Sequence, residues 1–214
     1  IAPTPGCIPT NPMFDAYLTR WNLAPDGASI VTHAAQLLPV LHEGTPAMLK
    51  VSVEEDEKQG GVLMNWWNGQ GAARVLAQDD DAILLERATG TRSLAHYARN
   101  GRDDEATRII CDVLLDLHAP RRAPPPALRS LEEWFTELWP MARAQGGTLA
   151  HSARHARALL DDPQDQVVLH GDVHHDNILD FGERGWLVID PKRLQGERAF
   201  DYANFFCNPD LSDP

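Results

Sequence analysis

The stretch "VVLHGDVHHDNILDFGERGWLVID" at residues 167–190 constrains this chain more than any other. An apolar run at 167–169 leads into a loop dense in His and Asp. Ile178 and Leu179 close that loop, and "WLVID" follows as a strand of buried type. A chain that folds this way must gather Asp172, Asn177 and Asp190 at strand ends and in one tight loop. A lone Asp in a loop is usually a turn residue. An Asp, an amide and a second Asp brought together by a hairpin instead form a hard-oxygen site suited to Mg²⁺, which takes the rest of its ligands from phosphates and water.

Phosphoryl transfer needs such a set. One carboxylate accepts the proton of an attacking hydroxyl, an amide and a second carboxylate hold metal on nucleotide phosphates, and a Lys from another strand holds the phosphates. In the kinase arrangement the metal Asn lies five residues after the base Asp. Asn177 lies five residues after Asp172, and Lys50 in "PAMLKVS" lies on what reads as the third strand of the first half.

The rest of the chain reads as a β-rich part followed by a helical part. "AQLLPVLHEGTPAMLKVSV" is a hairpin turning at residues 43–46, and "AARVLAQDDDAILLERA" is a second one bending at Asp79, Asp80 and Asp81. Residues 54–67 between them read as a helix, the only one in the first half. In "DDEATRIICDVLLDLHA", Ala106, Ile109, Ile110, Val113, Leu114 and Leu117 follow one helical face. "APRRAPPPAL" is a Pro-rich connector. Ser130 and Glu133 form a capping box that opens a helix ending at Gly146 and Gly147, and residues 148–160 form another. The expected lobes are residues 1–87 and 88–214.

Composition narrows the partners. The net charge of −12 disfavours a nucleic-acid backbone and suits a cationic small molecule, or simply solubility. No apolar run reaches the length of a membrane span. The first residues show no secretory pattern, and the missing initiator Met suggests a trimmed chain. Cys7, Cys111 and Cys207 read as free thiols of a cytoplasmic protein, expected to be a monomer.

The ordered stretches "GTPAMLKV", "WWNGQGAARVL", "AILLERA", "VLHGDVHHDNILDFGERGWLVIDP" and "FDYANFFCNPD" resemble the aminoglycoside phosphotransferase superfamily, and within it the streptomycin 6-kinase and hydroxyurea phosphotransferase family. The resemblance implies an α+β, protein-kinase-like bilobal fold with a small β-rich N-terminal lobe and a larger, mostly helical C-terminal lobe. It implies ATP and Mg²⁺, and transfer to a hydroxyl of a small molecule, an aminoglycoside such as streptomycin, with antibiotic resistance as the outcome. Hydroxyurea or another metabolite, or nucleotide binding without catalysis, are the alternatives.

By position, Asp172 resembles the catalytic base, and Asn177 and Asp190 the metal ligands. Lys50 resembles the phosphate Lys and Glu57 its ion-pair partner. Residues from Glu86 to Ala88 resemble the hinge whose backbone pairs with adenine. His174 stands where protein kinases carry a Lys two residues after the base. Asp201 is expected to brace the catalytic loop. No GxGxxG is present; the loop in its place reads "THAAQLLPV". Relatives continue past "FCNPD" into further helices, so either the C-terminal lobe is truncated or its pocket differs.

Two other readings are weaker. "DLH" at 116–118 followed by "GDVHHD" imitates a dinuclear phosphoesterase, but Asp116 and His118 fall inside the amphipathic helix. His151 and His155 share a helix face without a third ligand and read as solvated.

Overall fold

The computed structural model describes residues 12–32, 35–52 and 60–209. The chain divides into two compact units, residues 1–91 with 180–187, and residues 92–179 with 188–214.

The first unit is built on one antiparallel sheet. Its elements are α1 (Pro12–Arg20), β1 (Leu23–Pro25), β2 (Ile30–Val31), β3 (Ala35–His42), β4 (Thr45–Ser52), α2 (Gly60–Trp67), β5 (Val75–Gln78) and β6 (Ala82–Glu86). The strands run in the order β1-β3-β4-β6-β5, with β2 also on β3. Both expected hairpins form, β3 with β4 and β5 with β6. Of the expected 54–67 helix, Gly60 to Trp67 is helical, and residues 53–59 lie outside the described residues.

Helix α1 corrects the expectation of a single helix in this half. Phe14 is fully buried in the core with Leu38, Val40, Leu49 and Leu84, and Met13, Tyr17, Leu18 and Trp21 pack against it. Their spacing marks one helical face. The short β1 and β2 also put Lys50 on the fourth strand in chain order, not the third.

The second unit holds α3 (Leu94–Arg99), α4 (Asp103–Leu117), β7 (Arg129–Ser130), α5 (Leu131–Trp134), α6 (Leu138–Gln145), α7 (Gly147–Asp161), β8 (Gln166–Leu169), β11 (Leu194–Glu197) and α8 (Ala199–Phe205). Strands β9 (Ile178–Asp180) and β10 (Trp186–Val188) pair as a separate hairpin. Helix α4 buries Ala106, Ile110, Val113, Leu114 and Leu117. Ile109, on the edge of that face, is half-buried.

The capping box at Ser130 forms, with the Glu133 N–H on Ser130 Oγ at 3.2 Å and the Ser130 N–H on Glu133 Oε2 at 2.7 Å. The helix it opens is not continuous to Gly146, because residues 135–137 interrupt it. Strand β11 was not legible in the sequence. It pairs antiparallel with β8 and parallel with β7, and Leu131, Leu169 and Leu194 make a small core there. That sheet fixes the end of β8, from which the His- and Asp-rich loop departs. No helix among the described residues is long and apolar enough to cross a membrane.

Candidate active site

The loop after β8 is held from below by one carboxylate. Asp201 in α8 is 1% exposed. Its Oδ1 accepts the Gly171 N–H at 2.7 Å and its Oδ2 accepts the His170 N–H at 2.8 Å. His118, at the end of α4, donates Nε2–H to the same Oδ2 at 2.8 Å. The sequence expectation that Asp201 braces the loop is met. His118 is committed to Asp201 and Asp116 is exposed on its helix, so the two do not form a metal pair.

His170 fixes the loop a second way. It is fully buried, and its Nε2 lies 2.7 Å from the Ile189 carbonyl, so Nε2 carries the proton. Its Nδ1 is then the acceptor for the Asp172 N–H at 3.2 Å. Burial pushes the imidazole pKa down, against the raising effect of Asp201, the Ile189 carbonyl, Asp172 and Asp190. A neutral ring suits the one-donor, one-acceptor pattern.

Asp172 is thereby anchored through its backbone while its side chain stays 35% exposed. Its Oδ1 accepts from Asn204 Nδ2 at 3.1 Å. Its Oδ2 lies 3.9 Å from Lys192 Nζ. Neither Asn204 nor Lys192 was singled out in the sequence. A carboxylate fixed at its root and open at its tip can take a proton from a ligand hydroxyl.

The two expected metal ligands come together with Asp172. Asn177 is 9% exposed and its Nδ2 donates to the Asp172 carbonyl at 2.9 Å. That bond uses the amide's donor end and leaves Oδ1 as its oxygen for another partner. Asp190 lies just past β10, and its neighbour Ile189 donates its N–H to the Asn177 carbonyl at 3.0 Å, which ties the two segments together. One amide oxygen and one carboxylate fit Mg²⁺, which keeps few protein ligands and relies on phosphates and water for the rest.

His174 caps the 3₁₀ turn at His175–Asn177, its Nδ1 accepting the Asp176 N–H at 3.3 Å. His175 is buried, with neither ring nitrogen hydrogen-bonded among the described residues.

In the first unit, Lys50 is 6% exposed in the middle of β4, opposite Leu37 on β3 and Ile83 on β6. Lysines are this buried only when they serve a partner. Glu57 lies outside the described residues. Glu86 ends β6, two residues before Ala88, and its N–H is donated to the Arg74 carbonyl at 3.0 Å. Its carboxylate accepts the Arg74 N–H at 2.6 Å and pairs with Arg184, which also donates to the Gly69 carbonyl at 2.6 Å. The Glu86 N–H is thus already engaged within this unit. Between β2 and β3, Thr32 Oγ1 accepts the Ala35 N–H at 3.1 Å and donates to the Ala35 carbonyl at 2.8 Å.

His151 and His155 are exposed, as expected, and His151 Nδ1 meets Arg154 at 2.8 Å. Cys111 and Cys207 are free, and Cys7 lies outside the described residues.

The family model for aminoglycoside/hydroxyurea antibiotic resistance kinases matches residues 20–214. The chain belongs to this family. It is 54% identical over 197 residues to streptomycin 3''-kinase of Klebsiella pneumoniae, covering 92% of this chain and 74% of that protein. It is 33% identical to streptomycin 6-kinase of Streptomyces griseus, covering 85% of this chain but 62% of that protein. Among solved structures, the aminoglycoside phosphotransferase APH(4)-Ia in complex with ADP and hygromycin B overlays with a TM-score of 0.64 at 13% identity, covering 90% of this chain and 75% of that one. At that identity the likeness speaks for the fold, which is protein-kinase-like.

Proposed function

We propose that the protein transfers the γ-phosphoryl group of ATP to a hydroxyl of an aminoglycoside, streptomycin first, and so inactivates the antibiotic. The observation that carries this is the open Asp172 carboxylate, with Asn177 bonded to the Asp172 carbonyl and the segment of Asp190 bonded to Asn177 through Ile189, in a chain 54% identical to a streptomycin 3''-kinase. That identity favours the 3''-hydroxyl over the 6-hydroxyl.

In this reading Asp172 accepts the proton of the attacking hydroxyl. Asn177 and Asp190 hold Mg²⁺, which when bound neutralises phosphate charge and orients the nucleotide. Lys50 holds the phosphates, oriented by Glu57. The backbone of residues 86–88 receives the adenine, and His174 lies beside the phosphates. The negative chain favours a cationic acceptor. A site that leaves a carboxylate open is not explained by nucleotide binding alone, because a binding module needs no base.

The test is incubation with ATP, Mg²⁺ and streptomycin, with the product read by mass spectrometry and its position by NMR. Gain of one phosphoryl group at the 3''-oxygen is expected. Phosphorylation of hydroxyurea with streptomycin untouched would transfer the assignment to the family's other substrate class. Nucleotide binding without transfer to either would leave a non-catalytic module.

A further inference from the structure

The catalytic loop has a His where a kinase of this fold type would have a Lys. His174, two residues after Asp172, spends its Nδ1 on the Asp176 N–H. A cation reaches the Asp172 carboxylate from elsewhere, two residues after Asp190. Lys192 Nζ lies 3.9 Å from Asp172 Oδ2.

This placement is built into the backbone. The Lys192 N–H donates to the His170 carbonyl at 2.8 Å, which ties the segment after Asp190 to the start of the loop. Asp190 and Arg193 both take left-handed backbone angles, φ 57° and 53°, on either side of it. Such angles are costly for non-glycine residues and persist only where the surroundings impose them. Gly171 completes the fit. Its φ is +82°, and a Cβ there would lie 2.8 Å from Leu194 Cδ1 and 3.1 Å from Lys192 Cβ. Glycine at 171 therefore lets Lys192 lie directly against the loop residue that precedes Asp172.

We propose that Lys192 is a catalytic cation of the transfer step and contacts the γ-phosphoryl group; this rests on the phosphotransferase reading above. A base acts on a hydroxyl about 2.6–3.2 Å away. A cation 3.9 Å from that base can reach the oxygen that attacks phosphorus. As the acceptor oxygen bonds to the γ-phosphorus, the bond from that phosphorus to the bridging oxygen breaks. Its electron pair leaves with ADP, and the hydroxyl proton passes to Asp172. Lys192 keeps its protons throughout. Its charge offsets the negative charge spread over the equatorial oxygens, the largest electrostatic demand of such a reaction. Before nucleotide arrives, Asp172 is its partner, which keeps the ammonium aimed at the reaction path.

The experiment compares the parent with Lys192→Met and Lys192→Arg. Calorimetry with Mg²⁺ measures the affinity of ADP and of a non-hydrolysable ATP analogue. The Met variant should bind ADP as the parent does and lose roughly 10-fold in affinity for the analogue, since only the analogue carries the γ-group. Its kcat with streptomycin should fall about 10²-fold or more with little change in acceptor KM. Arg should restore part of both. Unchanged analogue affinity and kcat in the Met variant would overturn the proposal. So would equal weakening of both nucleotides with a lowered melting temperature and no recovery by Arg, the signature of a packing role. If the parent transfers phosphate to no hydroxyl at all, the functional reading fails, and the comparison of the two nucleotides still decides whether Lys192 meets a γ-phosphoryl group.

Discussion

The Asp201 carboxylate accepts the Gly171 N–H at 2.7 Å, one residue before Asp172. The same carboxylate holds the His170 N–H and the His118 ring, both at 2.8 Å. Three donors, two of them buried, thus depend on one side chain from α8, and the loop inherits its position from the helical core.

Asp201→Ala should therefore cost about 3–5 kcal/mol, because it leaves buried donors without an acceptor. For a chain of this size the melting temperature should drop by on the order of 10 °C. Asp201→Asn keeps the volume but turns an amide N–H toward one of the three donors, and it should recover little of that stability. Scanning calorimetry of the two variants checks this. A drop of a degree or two for Ala would mean the loop is held by other contacts.

Gly90 donates its N–H to the Asp180 carbonyl at 2.9 Å, and a Cβ at 90 would lie 2.0 Å from the buried Asp180 Cγ. Gly90→Ala must displace that side chain or the segment that follows β6. A cost of roughly 1–3 kcal/mol is expected from overpacking alone. Urea denaturation should show the loss as a lower midpoint with an unchanged slope.

His170 makes stability depend on pH in a stated direction. Burial holds its folded pKa below the ordinary His value of about 6.5. Protonation would also place a second N–H against the Asp172 N–H that Nδ1 now accepts. Below about pH 6.5 the unfolded chain takes up a proton that the folded chain refuses, so this contribution is full above that pH and is lost as pH falls through the folded pKa. Buried His175, also pushed down by desolvation, acts with the same sign. The melting temperature should fall from pH 7 to pH 5.5. A rise over that interval would show that both rings are protonated in the fold.

Much of this was legible because it is local. The five-residue spacing of Asp172 and Asn177, the capping box at Ser130 and the buried face of α4 each lie within one element or one turn. The residues that complete the site are not local. Asn204 reaches Asp172 across 32 positions and His118 reaches Asp201 across 83, and neither carries a periodic or motif signal of its own. Lys192 lies in "IDPKRLQGE", where a Lys after a Pro reads as a surface residue until β11 is seen to pair with β8. Strand β11 itself has Gly and Gln in place of an apolar alternation, so its pairing is set by the Leu194–Leu169 contact and not by propensity. Helix α1 was a different miss, since its apolar face was present in "PMFDAYLTRW" and only the strand-rich context obscured it.

Asp172→Asn separates the roles inside the site. The substitution keeps size and hydrogen-bonding shape, and it removes the ability to accept a proton. The Asp172 backbone contacts to His170 and Asn177 do not involve the carboxylate, so the loop should keep its course and Asn177 its orientation. The contacts at risk are with Lys192, whose 3.9 Å ion pair to Oδ2 loses its charge partner, and with Asn204, which now donates to Oδ1 at 3.1 Å and can still do so to an amide oxygen. Nucleotide affinity with Mg²⁺ should therefore stay within a few-fold of the parent, while transfer to streptomycin should fall roughly 10²-fold or more. Asp190→Ala should behave in the opposite way and lose Mg²⁺-dependent nucleotide binding first. Calorimetry for the nucleotide and mass spectrometry for the product measure both. Parent-like transfer by Asp172→Asn would show that positioning and charge neutralisation carry the reaction without this base. Loss of nucleotide affinity in that variant would place Asp172 with Asn177 and Asp190 among the groups that hold the metal.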